Sequence, residues 1–101
     1  MYQALASNRV DAITAFSSDG RIAAEKLRVL TDPKHAIPGY DAIMLVAPDR
    51  AKDDRFLTAL RPLAGRIDVA AMREANLQVD REVDKQSPDQ AARWLATKIG
   101  L

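Results

Sequence analysis

One histidine, no cysteine and fourteen carboxylates are the raw material for chemistry in these 101 residues. Without cysteine there is no disulfide framework, thiolate metal site or cysteine nucleophile, and a single histidine removes most remaining metal and triad arrangements. His35 follows Lys34 in a proline-rich loop with no second ligand in its neighbourhood, the pattern of a solvated residue. The acidic residues sit beside bases, as in Asp53, Asp54 and Arg55 or Arg81, Glu82, Asp84 and Lys85, which suits solvated faces better than a carboxylate dyad. Asp41 and Asp80 flank elements but lack partner motifs. Gly20, Gly39, Gly65 and Gly100 stand alone, so the dinucleotide fingerprint and the P-loop are absent, and Ser17 and Ser18 lack the nucleophile elbow. No catalytic residue, metal site or cofactor is expected, and the chain does not read as an enzyme.

What remains is aromatic: Tyr2, Phe16, Tyr40, Phe56 and Trp94. Phe56 and Trp94 fall on helical stretches, where packing is the expected role. Phe16 differs, because it ends an apolar run just before Ser17-Ser18-Asp19-Gly20, where a side chain can emerge on the ligand side of an α/β fold. On these residues alone, a core phenylalanine and a ligand contact both stay open.

The elements that would position Phe16 follow from periodicity and punctuation. Residues 1–8 predict a short helix with Tyr2 and Leu5 on one side and Ser7-Asn8 as its stop. Val10 to Phe16 predicts a buried strand, ended by a turn in which Asp19-Gly20 tolerates positive φ. Arg21 to Leu27 is ambiguous between a helical turn and irregular chain; Leu27 to Thr31 alternates as a half-buried strand. A constrained loop over 32–40, with Pro33, Pro38 and Gly39, precedes the most apolar segment, Tyr40 to Ala47, whose length suits a central strand. Phe56, Leu57 and Leu60 recur at helical spacing before Pro62 and Gly65. Asp68 is a plausible N-cap for a helix through Val69, Met72 and Ala75, with Asn76 as a left-handed stop. Ser87-Pro88-Asp89-Gln90 combines a capping Ser, a Pro at the first helical position and a Gln three residues later, ahead of Ala91, Leu95 and Ile99.

Lys and Arg total 15 against 14 for Asp and Glu, and both halves of the chain are balanced, which argues against a nucleic-acid partner. The apolar run Ala42 to Ala47 is far shorter than the roughly 20 residues that span a bilayer, and Met1 to Leu5 lacks the basic start and apolar block of a secretory leader. Helix, three strands, then three helices predicts an α/β chain, a small sheet packed by helices, with sheet edges that another chain should cover.

Several segments together resemble a known family. Tyr2 to Leu5, Val10 to Ile22, Leu30 to Lys34, Ile37 to Ala42, Ile67-Asp68, Met72, Ala75-Asn76-Leu77, Val79-Asp80 and Ala91 to Leu95 are similar to the C-terminal part of OpuAC-like substrate-binding proteins of osmoprotectant ABC transporters. The resemblance implies part of a two-lobed, type II periplasmic-binding-protein fold, with residues 1–20 as the end of the second lobe and the crossover, and 21–101 as the C-terminal part of the first lobe. It implies glycine betaine, choline or a related quaternary ammonium compound as ligand, and an ABC permease and the remaining lobe, or a second copy of the chain, as partners. A periplasmic or extracytoplasmic location follows on the same basis. Such cations carry no N–H, so aromatic faces hold them by cation–π attraction, worth about 0.5–2 kcal/mol each. The family places an aromatic, usually Tyr, where this chain has Phe16, in a Tyr-Ser-Thr-Asp-like motif. Here that motif is Phe16-Ser17-Ser18-Asp19, which keeps the aromatic face, loses the phenolic hydroxyl, and makes these four the expected ligand-binding residues. A structural or interaction protein, formed by swapping elements between two copies, is the competing expectation.

Overall fold

An Asp or Ser that accepts the first free backbone N–H groups opens four of the five α-helices in the described residues, and this local chemistry accounts for where they start. The structure is a computed structural model that describes residues 1–39 and 41–101. Helix α1 is Tyr2–Ala6, α2 is Gly20–Ala24, α3 is Asp54–Leu60, α4 is Val69–Asp80 and α5 is Pro88–Lys98, with a 3₁₀ turn at Arg61–Leu63. Asp68 Oδ1 accepts from Ala71 N at 2.7 Å to open α4, and Asp53 Oδ1 accepts from Phe56 N at 3.0 Å to open α3. The capping box of α5 is complete: Ser87 Oγ accepts from Gln90 N at 3.2 Å, and Gln90 Oε1 accepts from Ser87 N at 2.8 Å. Helix ends are equally local. Gly100, past the last turn of α5, has φ 79°, and Gly65, past Pro62 and the 3₁₀ turn, has φ 71°, where a side chain would be strained.

The chain divides into two compact units, one formed by Met1–Val29 with Ile67–Leu101 and the other by Leu30–Arg66. In the first, α4 packs against both α2 and α5. The buried residues are mostly small, Ala71 and Ala75 on α4 and Ala91 on α5, joined by Tyr2 and Ile22. Small side chains let helix backbones approach, and at Gly20 the approach reaches its limit. A Cβ built there would lie 2.5 Å from Leu77 N and 2.7 Å from Leu77 Cα, so α2 can rest on α4 only through a glycine.

In the second unit, α3 keeps Phe56, Leu57 and Leu60 half-buried. The Arg50 guanidinium stands 4.5 Å from the Phe56 ring centroid and 3.1 Å from an Asp53 carboxylate oxygen. Asp32 Oδ2 accepts from Ile37 N at 2.8 Å, and with the neighbouring backbone N–H groups this holds the Asp32 carboxyl below the usual carboxylate range.

The expected α/β architecture with a small sheet is not what forms: there is no strand among the described residues. The segments 10–16, 27–31 and 41–47 are all outside helices and carry no ladder; Tyr40, which opened the third expected strand, lies outside the described residues. Their apolar side chains are largely exposed, Leu45 at 87% and Ile43 at 74%. Apolar runs state that a segment could be buried, but a strand exists only where a second backbone pairs with it about 4.8 Å away, and among the described residues these three segments form no such pairing. Two smaller expectations also change. Asn76 does not stop its helix, because α4 continues to Asp80, and Gly20 serves close approach within α2 rather than a positive φ.

Gly20→Ala places a methyl against the Leu77 backbone, which cannot swing aside as a side chain would. The expected loss is about 1–3 kcal/mol, read as a lower urea midpoint, even though Ala is the better helix former; an unchanged midpoint would contradict the close approach.

Candidate functional site

Phe16, Ser17, Ser18 and Asp19 form one tight turn. The Phe16 carbonyl accepts from Asp19 N at 3.0 Å, and Asp19 Oδ1 then accepts from Arg21 N at 3.0 Å, so the residue that closes the turn also caps α2. Phe16 is 68% exposed at the head of this turn.

Two side chains of α4 reach the turn's backbone. Arg73 Nε donates to the Ser17 carbonyl at 2.6 Å, and Asn76 Nδ2 donates to the Ser18 carbonyl at 2.8 Å. Arg73 and Asn76 are three residues apart, so one face of α4 supplies both donors. Each bond contributes on the order of 1 kcal/mol, and Gly20 presses on Leu77 just beyond them. Three of the four residues after Phe16 are thereby attached to one helix. Sequence reasoning missed both donors, having read Asn76 as a cap. Their shared spacing, and their place on the helix that also carries Ala71 and Ala75, was the available signal.

Tyr2 borders the same turn. The Arg21 guanidinium carbon stands 4.7 Å from its ring centroid, and Arg21 is paired with Glu25 at 2.9 Å. Burial first, and the adjacent Asp19 carboxylate second, push the Tyr2 hydroxyl up to about 12, although that hydroxyl falls short of strict hydrogen-bond geometry with any partner.

The other residues singled out by sequence do not join this cluster. His35 (φ 50°) and Asp41 are exposed in the second unit, and Asp80 is the exposed last residue of α4. Tyr40 lies outside the described residues. Phe56 already has Arg50 on its face, and Trp94 has the Lys98 ammonium 5.0 Å from its ring centroid. A cleft of about 300 Å³ lies between α4 and α5, lined by Met72, Ala75, Val79, Ala91 and Leu95 among others. None of the four turn residues lines it. No group of His, Cys, Asp or Glu able to hold a metal ion occurs among the described residues. The turn thus combines a largely exposed Phe16 with a backbone tied to α4 at two successive carbonyls.

The Tyr2 environment sets an alkaline limit. A tyrosine that holds its proton longer folded than unfolded favours the fold below about pH 10, and this contribution is lost as pH rises through its folded value. Melting temperature should fall between pH 10 and about 12, and more steeply than in Tyr2→Phe; parallel curves for the two proteins would contradict the burial of this hydroxyl.

Comparison with known proteins covers almost the whole chain. Residues 1–97 match the OpuAC family, described as the substrate binding domain of ABC-type glycine betaine transport system. The chain is 33% identical over 88 residues to the carnitine transport binding protein OpuCC of Listeria monocytogenes, which covers 86% of this chain and 29% of that protein. It is 33% identical over 93 residues to the glycine-betaine-binding protein of Pseudomonas aeruginosa, covering 91% of this chain and 29% of that one. The ergothioneine transport permease/ergothioneine binding protein EgtU of Helicobacter pylori is 31% identical over 101 residues, covering 99% of this chain and 18% of EgtU. No solved structure matches. The chain spans less than a third of the length of these curated relatives. No helix among the described residues is long and apolar enough to cross a membrane. The family is one of transport substrate-binding domains rather than enzymes. Matched over residues 1–97, and at least 31% identical to relatives that bind transported solutes, this chain belongs to the OpuAC family of ABC-transporter substrate-binding domains.

Proposed function

We propose that this chain is the portion of an ABC-importer binding protein that contributes Phe16 to an aromatic site for a quaternary ammonium solute. The observation that carries the reading is the 68% exposure of Phe16 on a turn whose carbonyls are tied to α4. Carnitine, glycine betaine and ergothioneine, named in the relatives, all carry a trimethylammonium group and a carboxylate. A trimethylammonium has charge but no donor, so a hydrogen-bonding pocket cannot grip it, whereas the negative face of a phenyl ring can. Ser17, Ser18 and Asp19 shape the turn beneath that face.

Magnitude decides how much of a site this is. One exposed aromatic face supplies about 0.5–1 kcal/mol, while even a millimolar affinity needs about 4 kcal/mol. Further faces must close on the same cation, and we assign them to a remaining lobe of a longer protein. In this reading residues 1–20 end one lobe and cross over, and 21–101 belong to the other. Closure of the lobes around the solute then signals to an ABC permease, at an extracytoplasmic location.

A second reading is favoured by one observation: Val29, Leu30, Ile37, Ile43, Met44 and Leu45 are all at least half exposed. Apolar surface on that scale marks a contact with something else, and a second copy exchanging these segments would cover it without any solute. Sedimentation velocity separates the two, with a monomer expected for the binding portion and a concentration-dependent dimer for the exchanged form.

The test of the leading reading is an NMR titration of the 101-residue chain with tetramethylammonium and with glycine betaine. Shift changes should concentrate on Phe16 to Gly20, grow linearly without saturating, and drop severalfold in Phe16→Ala; changes spread evenly over the chain, or unaltered by that substitution, would remove Phe16 from the site.

A further inference from the structure

A cation–π contact is short-ranged and depends on which way the ring faces, so an exposed phenylalanine on a loose loop would make a poor receptor. The backbone beneath Phe16 is not loose. Ser17 and Ser18 each give a carbonyl to a side chain of α4, at 2.6 Å from Arg73 Nε and 2.8 Å from Asn76 Nδ2. Gly20 then meets the α4 backbone itself at Leu77, and Asp19 is engaged as the cap of α2.

We propose that Arg73 and Asn76 are positioning residues of the solute site, which clamp the Phe16–Asp19 turn to α4 through two successive carbonyls and so set the direction in which Phe16 meets the cation. The proposal rests on the assignment of Phe16 to that site. Neither residue needs to touch solute. The clamp is asymmetric in chemistry: Asn76 is half-buried and neutral, Arg73 half-buried and charged. Two carbonyls fixed in sequence restrict the rotation that one fixed carbonyl would leave free. The donors also stand on the longest helix among the described residues, whose own start is capped by Asp68, so the clamp has a stiff support. Arg73 adds a positive charge beside a site for cations, an unfavourable neighbour for the solute's ammonium group. Its presence is better explained by the bond to Ser17 than by attraction for the ligand's positive end.

Backbone order parameters and the tetramethylammonium and glycine betaine titrations, measured on the 101-residue chain and its variants, test this. Arg73→Ala with Asn76→Ala should lower the order parameters of Ser17, Ser18 and Asp19 from the rigid range near 0.85 towards about 0.6, and at least halve the shift changes at Phe16 for both ligands. Asn76→Asp, which keeps side-chain shape and replaces the donor by an acceptor facing the Ser18 carbonyl, should do the same with the amide shifts of α5 unchanged. Arg73→Lys, which restores a donor and the charge, should recover part of the order and part of the ligand response. A turn that stays rigid in the double variant overturns the clamp. A turn that loosens while the ligand response at Phe16 persists overturns the positioning role. Opposite changes for the two ligands in Arg73→Ala, stronger for tetramethylammonium and weaker for glycine betaine, overturn it in favour of a direct charge effect. Absence of any localised response in the unaltered chain is a different failure, that of Phe16 as a solute contact, and it takes the positioning role with it while the order parameters still report whether the clamp exists.

Discussion

The meeting of the Phe16–Asp19 turn and Gly20 with α4 is the contact on which the rest of the first unit depends. A helix of five residues such as α2 has too few internal hydrogen bonds to repay its own nucleation and persists only when a neighbour stabilises it. That neighbour is α4, and the access is Gly20, whose missing side chain lets one backbone rest on another at Leu77. Once the glycine is seated, the carbonyls just before it come within reach of Arg73 and Asn76. Tyr2 closes the same region from the chain's other side, with Arg21 on its ring and Asp19 beside its hydroxyl. Packing, capping and side-chain hydrogen bonds therefore converge on a few residues, although the buried side chains around them are mostly alanine.

In the proposed function this concentration matters, because binding a quaternary ammonium group is a problem of presentation. The ligand offers no hydrogen-bond donor on its cationic end, so selectivity comes from the placement of aromatic faces and the exclusion of water from between them. Tyr2, Phe56 and Trp94 each have an arginine or lysine of this chain over the ring, which gives those faces an internal occupation. Phe16 combines a backbone anchored in its turn with a residue that is largely exposed. In the proposed reading, an anchored backbone beneath an exposed ring serves as one wall of a site completed by other walls.

Much of the local structure was legible in the residues. The Ser87-Pro88-Asp89-Gln90 box, the Asp68 cap, the stop at Gly65 and the turn that follows Phe16 all act over four or five residues, so the information that decides them lies in the same stretch. The apolar spacing of Phe56, Leu57 and Leu60 likewise matched the inner face of α3. The family could also be read, because its segments are spread along the chain and the Phe16-Ser17-Ser18-Asp19 motif keeps their order. The sheet could not. Val10 to Phe16, Leu27 to Thr31 and 41–47 have strand-like composition, but pairing is a relation between distant backbones, and the described residues contain no such pairing. Asn76 shows the same limit at the scale of one side chain: asparagine at a helix end is a common stop, yet here a carbonyl 58 residues away takes its amide and the helix runs on to Asp80. By itself, then, the sequence determined the Asp68 and Ser87 caps, the helical spacing of Phe56, Leu57 and Leu60, and the family, because each rests on neighbours in the chain or on residue identity. Only the tertiary structure decided that no strands pair, that Gly20 is a contact point and that Arg73 and Asn76 hold the Phe16 turn, because those outcomes depend on which distant backbone arrives alongside.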